Sequence, residues 1–146
     1  MQAVDVFRVI PESADAQNSR LVTVDGVVIG LVDGSVLEAQ YRCSRGHLLI
    51  TADGNPYEET IHFHLVDEEM KLIDQASLGR IYNSGMLTDT RLGVGDELEF
   101  SFFGTERWRL VILADPQRIW PQLLGSVKYP AGLLKPHYLR LDKVGD

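Results

Sequence analysis

Apolar and polar positions alternate with a period of two through much of this chain, in short runs bounded by turn residues. From Glu97 to Phe103, Leu98, Phe100 and Phe102 fall on one side and Glu99 and Ser101 on the other. From Arg107 to Leu113, Trp108, Leu110 and Ile112 share a side opposite Arg107 and Arg109. Successive strand residues point to opposite faces, so each segment reads as a strand with one buried and one wetter face. The first third carries three Asp-Gly pairs, Asp25-Gly26, Asp33-Gly34 and Asp53-Gly54. The segments around them, Leu21–Val24, Val27–Val32 and Val36–Cys43, are apolar and rich in β-branched residues. Asp-Gly accommodates the positive φ that type I′ turns need at both central positions, so the spacing predicts a run of antiparallel hairpins.

The pattern continues downstream. Ser44-Arg45-Gly46 separates Cys43 from the run His47–Thr51, and further strands are predicted over Thr60–Val66, Met70–Asp74, Arg80–Tyr82 and Tyr138–Leu141. Val4–Ile10 reads either as a first strand or as a swapped arm. One helix start stands out: Asp115 is a capping residue and Pro116 suits the first helical position. Ile119, Trp120, Leu123 and Leu124 then form an apolar stripe that Gly125 ends, with Pro121 introducing a kink. The predicted fold is therefore all-β: an antiparallel meander closed into a small barrel, or a sandwich, with one short helix near the C-terminus over Asp115–Leu124. Closure disposes of the exposed edges that a long meander otherwise leaves.

Composition narrows the function classes. With 146 residues, 45% apolar and 24% charged, the chain fits one globular domain spanning residues 1–146. A net charge of −7 disfavours nucleic acid and anionic membrane surfaces as partners, and the densest basic stretch, Arg107-Trp108-Arg109, holds only two charges. Cys43 is the single cysteine, which excludes an intramolecular disulfide and fits a reducing compartment. The N-terminus lacks the basic and apolar regions of a signal peptide, and no apolar run reaches the length of a membrane span. The expected location is cytoplasmic.

The most suggestive chemistry is His62-Phe63-His64. Residues two apart on a strand project from one face, so both imidazoles lie within reach of one divalent metal ion. His47 and Cys43 lie shortly upstream, and His47 is a further candidate ligand. On the other reading, Ile61, Phe63 and Leu65 make the apolar face, the two histidines sit on the wetter face, and Cys43 is a small buried apolar residue in register with Leu37, Ala39 and Tyr41. Gly54, His62-x-His64 and Glu68 or Glu69 resemble the first half of the cupin metal motif. That resemblance implies a small β-barrel whose two histidines and a glutamate hold a divalent metal. The chain departs from it in the long gap between Gly54 and His62 and in lacking the second half of the motif.

The other polar groupings carry less. Asp89, Asp96, Glu97 and Glu99 lack the loop spacing of a calcium hand. Asp67-Glu68-Glu69 reads as an exposed turn. Gly93-Val94-Gly95 precedes a strand, so it is not a phosphate-cradling loop. Tyr41, Phe100, Phe102, Phe103, Trp108 and Trp120 either pack a core or line a cavity. Two functional expectations follow. The first is a binding module for a small apolar molecule or a protein partner, with Tyr41, His62, His64, Phe100, Phe102 and Trp108 as ligand-binding residues and an exposed apolar face that supports a homodimer. The second is a metal-dependent, cupin-like small-barrel enzyme with His62 and His64 as ligands, a nearby Glu or Asp as the third, and His47 as a further candidate at the metal.

Overall fold

The computed structural model describes residues 1–54, 59–79, 86–119, 126–132 and 134–145. Among them are thirteen strands and no helix. They are β1 (Gln2–Ala3), β2 (Phe7–Pro11), β3 (Asn18–Thr23), β4 (Val28–Asp33), β5 (Val36–Cys43), β6 (Gly46–Ala52), β7 (Thr60–Asp67), β8 (Leu72–Gly79), β9 (Thr88–Leu92), β10 (Glu97–Ser101), β11 (Arg107–Gln117), β12 (Val127–Lys128) and β13 (His137–Val144). They form three antiparallel sheets. A six-stranded sheet runs in the order β1-β5-β6-β7-β8-β12, a four-stranded sheet in the order β13-β11-β10-β9, and a three-stranded sheet in the order β2-β3-β4.

The six-stranded sheet is the middle layer. Leu48, Ile50, Ala52, Ile61, Phe63, Leu65, Ala76 and Leu78 on one face pack against Leu98, Phe100, Trp108, Leu110, Leu139 and Leu141 of the four-stranded sheet. Leu49 and Val66 on the other face pack against Phe7, Leu21 and Val32 of the three-stranded sheet. A strand covered on both sides cannot show clean alternation, and every position of β6 is buried. This is why His47–Thr51 reads as an unbroken apolar run with polar residues only at its ends.

The sheets do not close into the expected barrel. Among the described residues the middle sheet ends at two edges, β1 and β12, and buries its faces by stacking instead. The turns differ as well. At Asp25-Gly26 and Asp33-Gly34 only the glycines have positive φ, +95° and +98°, so neither is a type I′ turn. Gly26 N–H donates to the Thr23 carbonyl and Thr23 N–H to that of Val27, a three-residue connection that ends in a left-handed glycine. Asp33-Gly34 is not a hairpin: it carries the chain from β4 in the three-stranded sheet to β5 in the middle sheet. A Cβ on Gly34 would lie 2.4 Å from Thr51 Oγ1, so glycine is required where the chain crosses between layers.

The C-terminal helix expected over Asp115–Leu124 is also overturned. Residues Asp115–Gln117 prolong β11, and Gln117 pairs with His137. The ladder between β11 and β13 shifts register between Ile112 and Gln117, so the missing N–H of Pro116 falls where the pairing is interrupted. Residues 120–125 lie outside the described residues, as does the strand expected at Arg80–Tyr82. Val4–Ile10 is divided between a loop and β2, which pairs with β3 along its whole length.

The middle and four-stranded sheets are also joined by one buried polar clamp. The Asp74 carboxylate on β8 accepts from His137 Nδ1 at 2.8 Å and from the main-chain N–H groups of Gln75, Tyr138 and Leu139 at 2.9, 2.7 and 3.0 Å. His137 Nε2 donates to the Gly132 carbonyl at 2.7 Å, so both ring nitrogens face acceptors. Tyr129 stacks on that ring with centroids 4.1 Å apart and donates its hydroxyl to the Leu139 carbonyl. Both side chains of the pair are almost fully buried. Removing the carboxylate strands four donors inside the protein, so Asp74→Ala is expected to lower the unfolding free energy by about 3–5 kcal/mol in urea denaturation. A loss below about 1 kcal/mol would show that the clamp is not a stabilising element.

Candidate functional site

Apart from Asp74, the buried polar residues of β6, β7 and β8 collect on the face turned towards the three-stranded sheet. Pairing arranges them in rows across the strands. Thr51, His62 and Ser77 form one row, Leu49, His64 and Gln75 the next, and His47 lies opposite Val66 in a third. Phe63 and Leu65 occupy the opposite face, in the main core. The two histidines thus share a face, as the period of two requires, but that face is an interior one. His62 and His64 stack at a centroid separation of 6.3 Å and an interplanar angle of 22°.

Hydrogen-bond accounting fixes the state of each ring. The Thr51 hydroxyl donates to the Asp33 carbonyl at 2.6 Å, so its oxygen is left to accept from His64 Nε2 at 2.9 Å. His64 Nδ1 then accepts from the Gln75 amide at 3.0 Å. The neutral ring is saturated, and burial, helped by the neighbouring His62, depresses its pKa to about 3. At His62, Nε2 lies 2.7 Å from Asp53 Oδ1 and Nδ1 lies 2.7 Å from Ser77 Oγ. A carboxylate only accepts, so Nε2 carries the proton, and the Nδ1 lone pair receives the Ser77 hydroxyl.

This accounting bears directly on metal binding. A neutral imidazole offers a metal one lone pair, and in both rings that pair already accepts a hydrogen bond, from Ser77 or from Gln75. His47 packs edge-on against Phe7, with centroids 4.9 Å apart, and is not brought to the other two. Burial, and then the charge of Arg42, push its pKa down. Glu68, the carboxylate of the cupin-like pattern, follows the far end of β7 and pairs with Arg42. Among the described residues, no three His, Cys, Asp or Glu side chains are grouped to hold a metal ion.

The aromatic candidates divide. Phe100, Phe102 and Trp108 are fully buried in the core between the middle and four-stranded sheets. The Phe63 and Phe100 rings pack 5.6 Å apart, so these side chains fill space instead of lining a cavity. Tyr41 belongs to the same core, but it also borders a surface recess of about 560 Å³ shared with Val4, Asp5, Arg8, Leu37 and Gln40. Cys43 is buried, and burial pushes its thiol pKa up, away from reactivity. Asp53 and Ser77 are the residues that sequence reasoning missed. Asp53 reads as a turn residue, and Ser77 carries no motif; only strand pairing brings them to His62.

The outer face of the three-stranded sheet is a second feature. Pairing aligns Ile10, Arg20 and Leu31 in one row and Arg8, Val22 and Val28 in another. Ile10, Val24, Val27, Val28 and Leu31 are each more than half exposed, and β4 forms one edge of the sheet.

The buried state of His64 has a pH consequence. Its pKa is lower in the folded chain than in the unfolded one, so below about pH 6.5 the unfolded state binds the extra proton and gains on the native state. Stability is therefore lost as pH falls from about 6.5 towards about 3, at up to about 1.4 kcal/mol per pH unit from this residue. His64→Gln is expected to flatten that slope in urea titrations between pH 7 and 4.5, and an unchanged slope would assign the acid sensitivity elsewhere. Comparison with known proteins assigns the chain to no family: no family model, no curated sequence and no solved structure matches it.

Proposed function

We propose that this chain is a protein-binding module whose docking surface is the outer face and open edge of the three-stranded sheet. The observation that carries the reading is the apolar exposure concentrated there: Val28 is 58% and Leu31 59% exposed on an edge strand without Lys or Pro. Edge strands of soluble proteins are usually blunted by such residues, and an apolar edge without them suits a partner strand that completes the sheet.

The chemistry of the partner follows from the flanks. Exposed Asp25 and Asp33 stand just before and at the end of β4, while Arg8 and Arg20 on the face are paired with Asp5 and Glu12. The patch therefore favours an extended segment with alternating apolar residues and basic ends. A second copy of β4 would bring aspartates towards aspartates, which disfavours self-pairing along this edge. Ile29 is the extra residue of a bulge between Leu21 and Val22, and it restricts straight pairing to Gly30–Asp33. That short stretch selects a partner without propagating a ladder. The reading also keeps the chain in the cytoplasm, where a lone buried thiol stays reduced. No helix among the described residues is long and apolar enough to cross a membrane.

The test is fluorescence anisotropy with two labelled peptides of alternating apolar residues, one bracketed by lysines and one by glutamates. The lysine-bracketed peptide should bind, the glutamate-bracketed one at least tenfold more weakly, and Val28→Lys/Leu31→Lys should weaken binding at least tenfold while remaining folded. Failure of both peptides to bind, or equal binding by the double variant, would overturn the assignment. Sedimentation of the unliganded chain reports whether a second copy occupies the surface instead.

A further inference from the structure

We propose that Asp53, His62 and Ser77 form a nucleophilic relay that hydrolyses small neutral esters. The geometry is that of a hydroxyl, a base and an orienting carboxylate in sequence. Ser77 Oγ lies 2.7 Å from His62 Nδ1, and His62 Nε2 lies 2.7 Å from Asp53 Oδ1. Because Asp53 can only accept, the proton on His62 is held at Nε2 and the Ser77 hydroxyl is aimed into the Nδ1 lone pair. The lone pairs of Oγ are thereby left for attack. Such an arrangement is recognised by geometry and roles, whichever ring nitrogen faces which partner.

His64, two residues along the same face, is the internal contrast. It has the same tautomer, but its Nδ1 faces an amide and its Nε2 faces a threonine whose hydroxyl is committed to the Asp33 carbonyl. It has neither carboxylate nor nucleophile, and it is 1% exposed. The relay sits one row nearer the end of the sheet, where Ser77 keeps 9% exposure and the side chains of His62 and Asp53 keep 9% and 13%. Of the buried polar groups on this face, these keep the contact with the surface through which a small acyl group and water would enter. Glu59 borders the same end, its carboxylate accepting from Gly54 N–H at 3.2 Å. Two carboxylates at this end of the sheet, Asp53 and Glu59, would repel anions, which favours uncharged substrates.

In the first half-reaction, Ser77 Oγ attacks the ester carbonyl carbon and its proton passes to His62 Nδ1. The imidazolium is held against Asp53. The carbon–oxygen bond to the leaving group then breaks, and His62 returns the proton to it, releasing an alcohol and leaving Ser77 acylated. In the second, water attacks the acyl carbon and gives its proton to His62, the bond to Oγ breaks, and Oγ recovers that proton. An ester and one water become an acid and an alcohol.

The experiment uses the full chain, a fluorophosphonate probe and p-nitrophenyl acetate. One phosphonyl adduct is expected, mapped by mass spectrometry to Ser77 and absent from Ser77→Ala. Adduct formation and p-nitrophenol release should each fall at least tenfold in His62→Gln and in Asp53→Asn, while His64→Gln leaves both within twofold. Ser77→Cys serves if Ser77→Ala does not fold: its iodoacetamide alkylation should outrun that of buried Cys43 and slow at least tenfold when His62 is also replaced. No adduct at Ser77 in the folded protein, or labelling at an unchanged rate in His62→Gln, would overturn the proposal. Neither result touches the docking surface, which lies on a different sheet.

Discussion

Burial of the middle sheet on both faces is the constraint from which the rest of this structure follows. Once β6 and the core of β7 are enclosed by sheets on either side, their polar side chains are almost wholly removed from bulk water. A buried group left without a partner costs about 1–3 kcal/mol, and His47 Nδ1 on β6 is one that has none. Thr51, His62, His64, Gln75 and Ser77 meet this demand by bonding across the strands and to the Asp33 carbonyl and Asp53. Close layering has a backbone consequence too: at Gly46, a Cβ would lie 2.2 Å from the Val66 carbonyl oxygen. On the opposite face of the sheet the same demand is met by the Asp74–His137 clamp, which ties β8 to β13.

The two histidines of β7 show how one environment produces two chemistries. Both carry a proton on Nε2, and both lie on the same face. What separates them is the identity of the next atom. An amide and a hydroxyl already committed elsewhere leave His64 without a nucleophile or carboxylate, and burial, then His62, depress its pKa to about 3. A carboxylate and an uncommitted hydroxyl give His62 the partners of a general base. The same hydrogen bonds occupy the lone pairs that a metal ion would need, and among the described residues no third His, Cys, Asp or Glu joins the two histidines.

Much of the strand content was legible. Alternation at Leu98–Phe102 and Trp108–Ile112 identified β10 and β11, and the apolar runs around the Asp-Gly pairs identified β3 to β6. The errors arose where local chemistry has two tertiary outcomes. Asp33-Gly34 carries a turn signal, yet it crosses between sheets, because Gly34 is needed against Thr51. Asp115-Pro116 has the composition of a helix start, yet it extends β11, because an interrupted ladder tolerates proline there. β9 lies in Thr88–Leu92, an exposed and largely polar segment that carries no alternation signal.

The sequence by itself determined that the chain is all-β, that His62 and His64 share a face, and that Phe63 opposes them. These are properties of a period-two backbone and need nothing beyond neighbouring residues. Only the tertiary structure decided what covers each face. Asp53 and Ser77 lie 9 and 15 residues from His62, on either side of it in the chain, and Phe7 reaches the His47 ring from 40 residues away. Those partners are chosen by strand register and sheet stacking. Both are set by the summed burial of whole faces, which no local stretch of sequence encodes.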